Sequence, residues 1–143
     1  MFKKILVPTD GSDYARRALG VALEIALKYG SAIELLHVAP MPQVYWGEPY
    51  AIAFTAPLQQ LVAKGSHKIL SDTVKGFDLG EVKVNQRQSS GYPAGVILDE
   101  LSSHNIDLVV LGSHGHSGLA GTLLGSVSNR VVAQAACPVL VVK

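Results

Sequence analysis

Short, almost uninterrupted apolar segments recur along the chain and alternate with longer segments of helical periodicity. Residues 5–7, 107–112 and 138–143 are of this kind, and such runs suit strands buried on both faces, as in a parallel sheet covered by helices. Residues 31–38 are a fourth candidate strand. Residues 81–87 alternate apolar and polar side chains, which predicts a fifth strand nearer an edge of the sheet.

Four helices are predicted between these strands. In the first, Ser12 is a favourable N-cap, and Gly30 follows the last apolar residue and ends the helix. Apolar residues between positions 58 and 70 mark the second helix. Pro93 suits the first turn of the third, and Ser126 opens the fourth.

This order of five strands and four helices predicts an α/β fold. We expect a single domain over residues 1–143, built as a doubly wound, five-stranded parallel sheet in a Rossmann-like sandwich. Ligands of such folds bind beyond the carboxyl ends of the strands, where the strand order reverses. The candidate site therefore lies at residues 8–12, after Val38 and after Leu111. Residues 39–57 contain four prolines and predict a long, variable loop.

Composition excludes several classes of function. The 143 residues carry a formal net charge of +1 and only 16% charged residues, which argues against disorder and against a nucleic-acid partner. The single cysteine, Cys137, excludes a disulfide framework and a multi-cysteine metal site, and we interpret it as a buried, unreactive thiol.

The apolar run near the start is too short for a signal peptide, and no window approaches the ~20 apolar residues of a membrane span. We expect a cytoplasmic protein without membrane contact.

A glycine-rich segment joins the strand at 107–112 to the last helix. Its glycines stand at positions 112, 115, 118, 121 and 125, where glycine is expected to supply positive φ and to let backbone N–H groups approach an anion. The free N–H groups at the start of the following helix, with the hydroxyls of Ser126 and Ser128, offer a phosphate site built largely from backbone. The spacing matches neither the P-loop nor the dinucleotide fingerprint.

Asp10 follows the first strand and is expected at the same end of the sheet. Its carboxylate could accept hydrogen bonds from a base or ribose or hold Mg²⁺, and the alternative is a role in turn formation or helix capping. No Cys or carboxylate stands at metal-ligand spacing from His114 and His116, so we interpret these histidines as phosphate-facing or backbone-bonded loop residues. The pattern Gly-x-Ser-x-Gly occurs nowhere, and no catalytic residue is identified.

In combination, these residues resemble the universal stress protein family, and specifically its nucleotide-binding branch. The family pattern is Gly, two residues, Gly, nine residues, Gly, then Ser or Thr, and Gly112, Gly115, Gly125 and Ser126 match it without a gap. Residues 4–12, the start of the third helix and the closing strand are also similar to the family. The resemblance implies an adenine nucleotide alpha hydrolase-like sandwich that binds ATP, ADP or AMP, with Mg²⁺ or Mn²⁺ held through the phosphates.

Carried over by position, the resemblance also implies a set of binding residues. Pro8, Thr9 and Asp10 would line the adenosine end, and Val38 would meet the adenine through its backbone. The loop after the fourth strand would border ribose and phosphates, and the start of the last helix would hold the phosphates. The set is Pro8, Thr9, Asp10, Val38, Gly112, Ser113, His114, Gly115, His116, Ser117, Gly125, Ser126, Val127 and Ser128.

Two further features follow from the resemblance. Family members commonly carry Arg at the position of His116, so the loss of fixed charge here bears on phosphate affinity rather than on the existence of the site. The family also pairs as homodimers through the strand Val139–Val142. We therefore expect an ATP-binding homodimer in stress response or signalling. One alternative is a scaffold whose unknown protein partner recognises residues 39–57, with the nucleotide only stabilising the protein. The other alternative is a slow ATPase.

Overall fold

The computed structural model describes residues 1–40, 56–116 and 123–143. Most of the predicted loop at 39–57 therefore lies outside the described residues, as does Ser117. The elements follow in strict alternation: β1 (Lys4–Pro8), α1 (Asp13–Tyr29), β2 (Ala32–Pro40), α2 (Ala56–Val74), β3 (Val84–Gly91), α3 (Pro93–Ser103), β4 (Leu108–Gly112), α4 (Ser126–Gln134) and β5 (Val139–Val142).

The five strands form one parallel sheet in the order β3-β2-β1-β4-β5. The chain places β2 and then β3 on one side of β1. It then crosses over and places β4 and β5 on the other side. The predicted α/β fold with a doubly wound parallel sheet is confirmed. The carboxyl ends of β1 and β4 diverge at this reversal, which is where such sheets bind ligands.

The core has one layer on each face of the sheet. Ile5 and Val7 pack against α1 and α2, while Leu6, between them in β1, packs with Leu36 and Ile97 on the face covered by α3 and α4. This alternation is the two-residue period of a strand, and because both faces are covered, β1 reads as a continuous apolar run.

Helix α1 forms as the sequence predicts. The Ser12 hydroxyl accepts a hydrogen bond from the N–H of Ala15 (3.2 Å), which satisfies one of the free N–H groups at the helix start. Gly30 adopts the left-handed conformation (φ 68°) and ends the helix. Small buried residues such as Ala18 and Ala22 allow the helix to lie close to the sheet.

Two boundary predictions and one burial prediction are corrected. Strand β3 begins at Val84 rather than at residue 81, because the N–H of Val82 is taken up in a turn with the carbonyl of Leu79 (3.0 Å). Helix α2 begins at Ala56, within the predicted loop, because Pro57 in the first turn has no N–H to satisfy. Strand β5 is not buried on both faces, since Leu140 is 37% exposed. The edge position of β3 is confirmed.

Among the described residues, no helix combines the length and apolar character needed to cross a lipid bilayer.

Candidate functional site

A cavity of about 480 Å³ opens at the carboxyl ends of β1 and β4, beside the end of β2. Its volume lies within the range of small-molecule sites, roughly 300–1,000 Å³. Its floor is apolar and its rim is polar. The lining residues are Pro8, Thr9, Asp10, Ala15, Leu36, His37, Val38, Pro40, Pro93, Ile97, Leu111, Gly112, His114, Gly115, Leu124, Gly125, Ser126, Val127 and Ser128.

Strand β2 extends past the end of β1 and offers backbone groups to the cavity. The N–H of Thr9 donates to the carbonyl of Leu36 (2.8 Å), and the last registered pair of the two strands joins Pro8 with Leu36. Alternate residues of a strand direct their N–H and C=O groups toward the same neighbour. Val38 therefore directs its donor and acceptor toward the cavity, beyond the point where β1 has ended.

The Asp10 carboxylate joins two loops at the rim. Its Oδ1 accepts the N–H of Ser12 (2.9 Å), which is the turn-forming role that the sequence offered as the alternative. Its Oδ2 accepts the N–H of His116 (3.1 Å), and His116 Nε2 donates back to the Asp10 carbonyl (2.9 Å). His116 thus lies against Asp10 and contributes to the rim by holding this loop in place.

The three glycines of the segment that the structure describes, Gly112, Gly115 and Gly125, serve close packing rather than positive φ. A Cβ at Gly112 would lie 2.7 Å from the Cβ of Tyr14, and one at Gly115 would overlap the Asp10 carboxylate. Gly125 has φ −71° and lies against the backbone of His114. The expectation of positive φ at these three positions is wrong, because approach of one backbone to another also demands the absence of Cβ. Positions 118 and 121 lie outside the described residues.

Two serines of the set hold the loop rather than face the cavity with a free donor. The Ser128 hydroxyl donates to the carbonyl of Ser113 (2.7 Å), and both residues are buried. The Ser113 hydroxyl is hydrogen-bonded to Nδ1 of His114 (3.0 Å), and the N–H of Gly125 donates to the Ser113 carbonyl (2.7 Å). The expected donation from Ser128 to a phosphate is therefore corrected, since its single proton is already used.

The start of α4 presents backbone donors to the cavity. Gly125 is the N-cap and makes no side-chain capping bond, so the N–H groups of Ser126 and Val127 and the positive end of the helix dipole face the rim. Among the described residues that line the cavity, no Lys or Arg occurs. An anion bound here would be met by backbone N–H groups, the helix dipole and an accompanying cation.

The remaining histidines and Cys137 do not form a metal site within the described part of the chain. His37 Nδ1 donates to the Thr9 carbonyl (2.8 Å), and His104 Nδ1 lies 3.0 Å from a carboxylate oxygen of Glu100. Cys137 is half-buried rather than fully buried, and desolvation raises the pKa of its thiol above the ordinary value.

The structure brings most of the residues proposed from the sequence to one cavity. Ser113 and His116 stand behind the rim, and Ser117 lies outside the described residues. Sequence reasoning missed the floor, made of Leu36, Ile97 and Leu111 with neighbouring apolar residues. The helical pattern around Ile97 and the apolar residues of the candidate strand 31–38 indicate buried faces, but they do not indicate that these faces reach a cavity.

Comparison with known proteins identifies relatives along the whole chain. The family model described as Universal stress protein family matches residues 1–143. The chain is 35% identical over 144 residues to a universal stress protein of Thermus aquaticus, covering 100% of both chains. It is 33% identical over 143 residues to universal stress protein MJ0531 of Methanocaldococcus jannaschii, covering 100% of this chain and 83% of that protein.

Solved structures show the same fold. Universal stress protein UspA from Lactobacillus plantarum superposes with a TM-score of 0.84 at 26% identity, covering 99% of this chain and 98% of that one. Hypothetical protein MJ0577 gives 0.82 at 31% identity, with coverage of 100% and 96%.

Two more distant structures contain nucleotides, and at 23% identity they bear on the fold of this chain alone. One is a universal stress protein from Archaeoglobus fulgidus in complex with dAMP, with a TM-score of 0.67 and coverage of 99% of this chain and 98% of that one. The other is a universal stress protein in complex with cAMP, with a TM-score of 0.67 and coverage of 99% and 96%. Because the family model spans every residue and relatives match over the full length, the chain belongs to the universal stress protein family.

Proposed function

We propose that this chain binds an adenine nucleotide, ATP in the first place, in the cavity between β1 and β4. The observation that carries the proposal is the convergence of three features on one cavity: the backbone edge at Val38, the Asp10 carboxylate and the N-terminus of α4. The complexes of family members with dAMP and cAMP support an adenine nucleotide as the class of ligand.

Each part of the nucleotide has a matching surface. The base would lie on the apolar floor and pair its donor and acceptor edge with Val38. The ribose would lie at Asp10 and the loop from Gly112 to Gly115. The phosphates would accept hydrogen bonds from the N–H groups that open α4. Since no Lys or Arg of the described segments lines the cavity, Mg²⁺ or Mn²⁺ would supply the missing positive charge, held mainly through phosphate oxygens.

The proposed role is binding rather than turnover. Among the described residues, Asp10 is the only carboxylate that lines the cavity, and both its oxygens accept backbone N–H groups. Hydrolysis benefits from a group that orients water and from a cation beside the γ-phosphate, and among the described lining residues no Lys or Arg supplies that cation.

We further propose that residues 1–143 form a single domain that acts in the cytoplasm as a nucleotide-dependent homodimer in stress response or signalling. The exposed edge of β5, the strand Val139–Val142, supports pairing between two copies.

The first experiment asks which nucleotide accompanies the protein. The chain is purified without added nucleotide and denatured, and the supernatant is run on an anion-exchange column calibrated with ATP, ADP and AMP. The refolded or nucleotide-free protein is then titrated with Mg-ATP. We expect a bound adenine nucleotide or a rise in thermal stability on titration. An empty supernatant together with no binding at millimolar Mg-ATP would contradict the proposal.

A pair of variants localises the binding. Ser126→Asp adds a carboxylate at the exposed first residue of α4, where it repels phosphates while remaining favourable for the helix. Asn129→Asp adds the same charge at an exposed position of α4 that does not line the cavity. We expect Ser126→Asp to lose most Mg-ATP affinity and Asn129→Asp to keep it. Equal affinities in the two variants would place the phosphates elsewhere.

A further inference from the structure

The turn that carries Asp10 rests on helix α2 as well as on the sheet. The N–H of Gly11 donates to the Thr9 hydroxyl oxygen (3.0 Å), which lies 2.9 Å from the hydroxyl oxygen of Thr73 in α2. Thr73 in turn donates its proton to the carbonyl of Ile69 (2.7 Å). Because a hydroxyl has one proton, Thr73 has none left for Thr9. The proton between the two threonines therefore belongs to Thr9.

The result is a directed chain of hydrogen bonds from Gly11 N–H through Thr9 and Thr73 to the Ile69 carbonyl. Thr73 is fully buried and Thr9 is 5% exposed. Water cannot replace a broken link at such depth without cost. The turn lies close to α2 here, since a Cβ added at Gly11 would stand 3.4 Å from the Ile69 side chain.

Among the residues that the structure describes, the hydrogen bonds that other elements make to helix α2 lie at its C-terminal end. Arg16 of α1 donates to the carbonyls of Asp72 (2.6 Å), Thr73 (3.0 Å) and Lys75 (2.9 Å), where α2 ends. Residues 56–65, in contrast, are exposed apart from a half-buried Val62. The anchored half of α2 contacts the Asp10 turn through Thr73, and the other half is largely exposed.

We propose that Thr73 is a positioning residue for the nucleotide site, fixing the Thr9–Asp10–Gly11 turn and coupling nucleotide binding to helix α2. The inference rests on the proposed function. Thr73 does not line the cavity. It acts through the Thr9 hydroxyl, which holds the turn in the conformation in which Asp10 faces the ribose position. A nucleotide that contacts this turn would therefore also stabilise the anchored half of α2.

The test compares three variants by calorimetric titration with Mg-ATP at a temperature where all are folded. Thr73→Val keeps the shape but removes the hydroxyl, and we expect about five- to tenfold weaker binding, the loss of roughly one hydrogen bond. Thr73→Ser restores the hydroxyl and should restore affinity. Val74→Ala is the matched control, because it removes core packing from the same helix end without touching the hydrogen-bond chain, and it should bind like wild type.

A second readout follows the coupling itself. Amide hydrogen exchange of residues 66–74 is measured with and without saturating Mg-ATP. We expect nucleotide to slow exchange there in the wild type, in Thr73→Ser and in Val74→Ala, and to leave it unchanged in Thr73→Val. A purely structural Thr73 would alter the baseline rate but not the difference that nucleotide makes.

The outcomes separate the two claims. Wild-type binding with equal affinity in Thr73→Val, or an equal loss in Val74→Ala, overturns the role of Thr73 and leaves the proposed function standing. Absence of nucleotide protection in wild-type α2 overturns the coupling. Failure of the wild type to bind any of ATP, ADP or AMP overturns the proposed function and this inference with it.

Discussion

Gly112 lies where β4 ends against the first turn of α1. A Cβ at this position would stand 2.7 Å from the Cβ of Tyr14 and 2.9 Å from its carbonyl carbon. Neither atom belongs to a flexible side-chain end, so relief requires α1 to move off the sheet. We expect Gly112→Ala to lower the free energy of unfolding by about 1–3 kcal/mol, as overpacking does, measured by urea denaturation.

Gly65 provides the matched control for this substitution. It lies within α2, and a methyl group added there would have no other atom within 4 Å. Alanine there should raise stability by about 0.5–1 kcal/mol, because a helix interior favours it over glycine. If Gly112→Ala were as harmless as Gly65→Ala, the contact with Tyr14 would not explain the glycine.

Cys137 allows a prediction about reactivity. Desolvation raises the pKa of its thiol, and only the thiolate reacts with alkylating reagents. We expect iodoacetamide to modify the folded protein more slowly at pH 8 than the urea-unfolded chain. Folding favours the neutral thiol. The contribution of Cys137 to the stability of the fold is therefore complete below the pKa of the thiol in the unfolded chain, and it is lost as the pH rises through the pKa in the folded protein. Equal rates in the two states would show a thiol unaffected by its surroundings.

At the site, the sequence predicts which residues gather at the cavity better than it predicts which hydrogen bond each polar atom makes. The glycine spacing and Asp10 located the cavity rim. The direction of the Ser128 hydroxyl could not be predicted, because its acceptor, the Ser113 carbonyl, is fifteen residues away and the two meet only in the folded loop. For the same reason the glycine spacing alone suggests positive φ, whereas Gly112 is needed to avoid contact with a distant residue, Tyr14.

Among the elements, α1 owes its defined start to Ser12, which is buried and accepts the N–H of Ala15. We expect Ser12→Ala to destabilise the protein by about 1 kcal/mol, the usual loss for a capping hydroxyl. Ser12→Thr keeps the acceptor and serves as the control. Urea denaturation checks both, and a full effect in Ser12→Thr would point to packing instead of capping.

Elements with local signals were predicted well, and those defined by distant partners were not. Helix α1 carries its own cap, apolar period and terminating glycine, all within residues 12–30. The exposure of β5 depends on its place at the sheet edge, and an apolar run looks the same at the edge as in the centre. The start of β3 depends on a turn whose hydrogen bond from Val82 to Leu79 competes with sheet pairing.

On the scale of the whole molecule, the order of the strands creates the site. Only because β4 follows β1 on the opposite side from β2 do the ends of these strands diverge and leave a cavity. Right-handed crossovers and the alternation of strands and helices made this class of order predictable. The identity of the floor residues followed from the particular register, such as Pro8 opposite Leu36, which the sequence does not encode locally.

The free edge of β5 permits a sharp test of the proposed homodimer. The Pro138 carbonyl accepts a hydrogen bond from Val109 in β4, and the Val142 carbonyl accepts one from Ser113, directly after β4. Val139 and Val141, at the alternate positions, therefore direct their N–H groups to the free edge. Val141→Pro removes one of these N–H groups without removing a bond to β4, and edge strands tolerate proline in that orientation. We expect light scattering to show two chains for the wild type and one folded chain for Val141→Pro. Val141→Ala loses similar packing but keeps the N–H, and it should remain a dimer. A dimeric Val141→Pro would mean that the two copies associate through another surface.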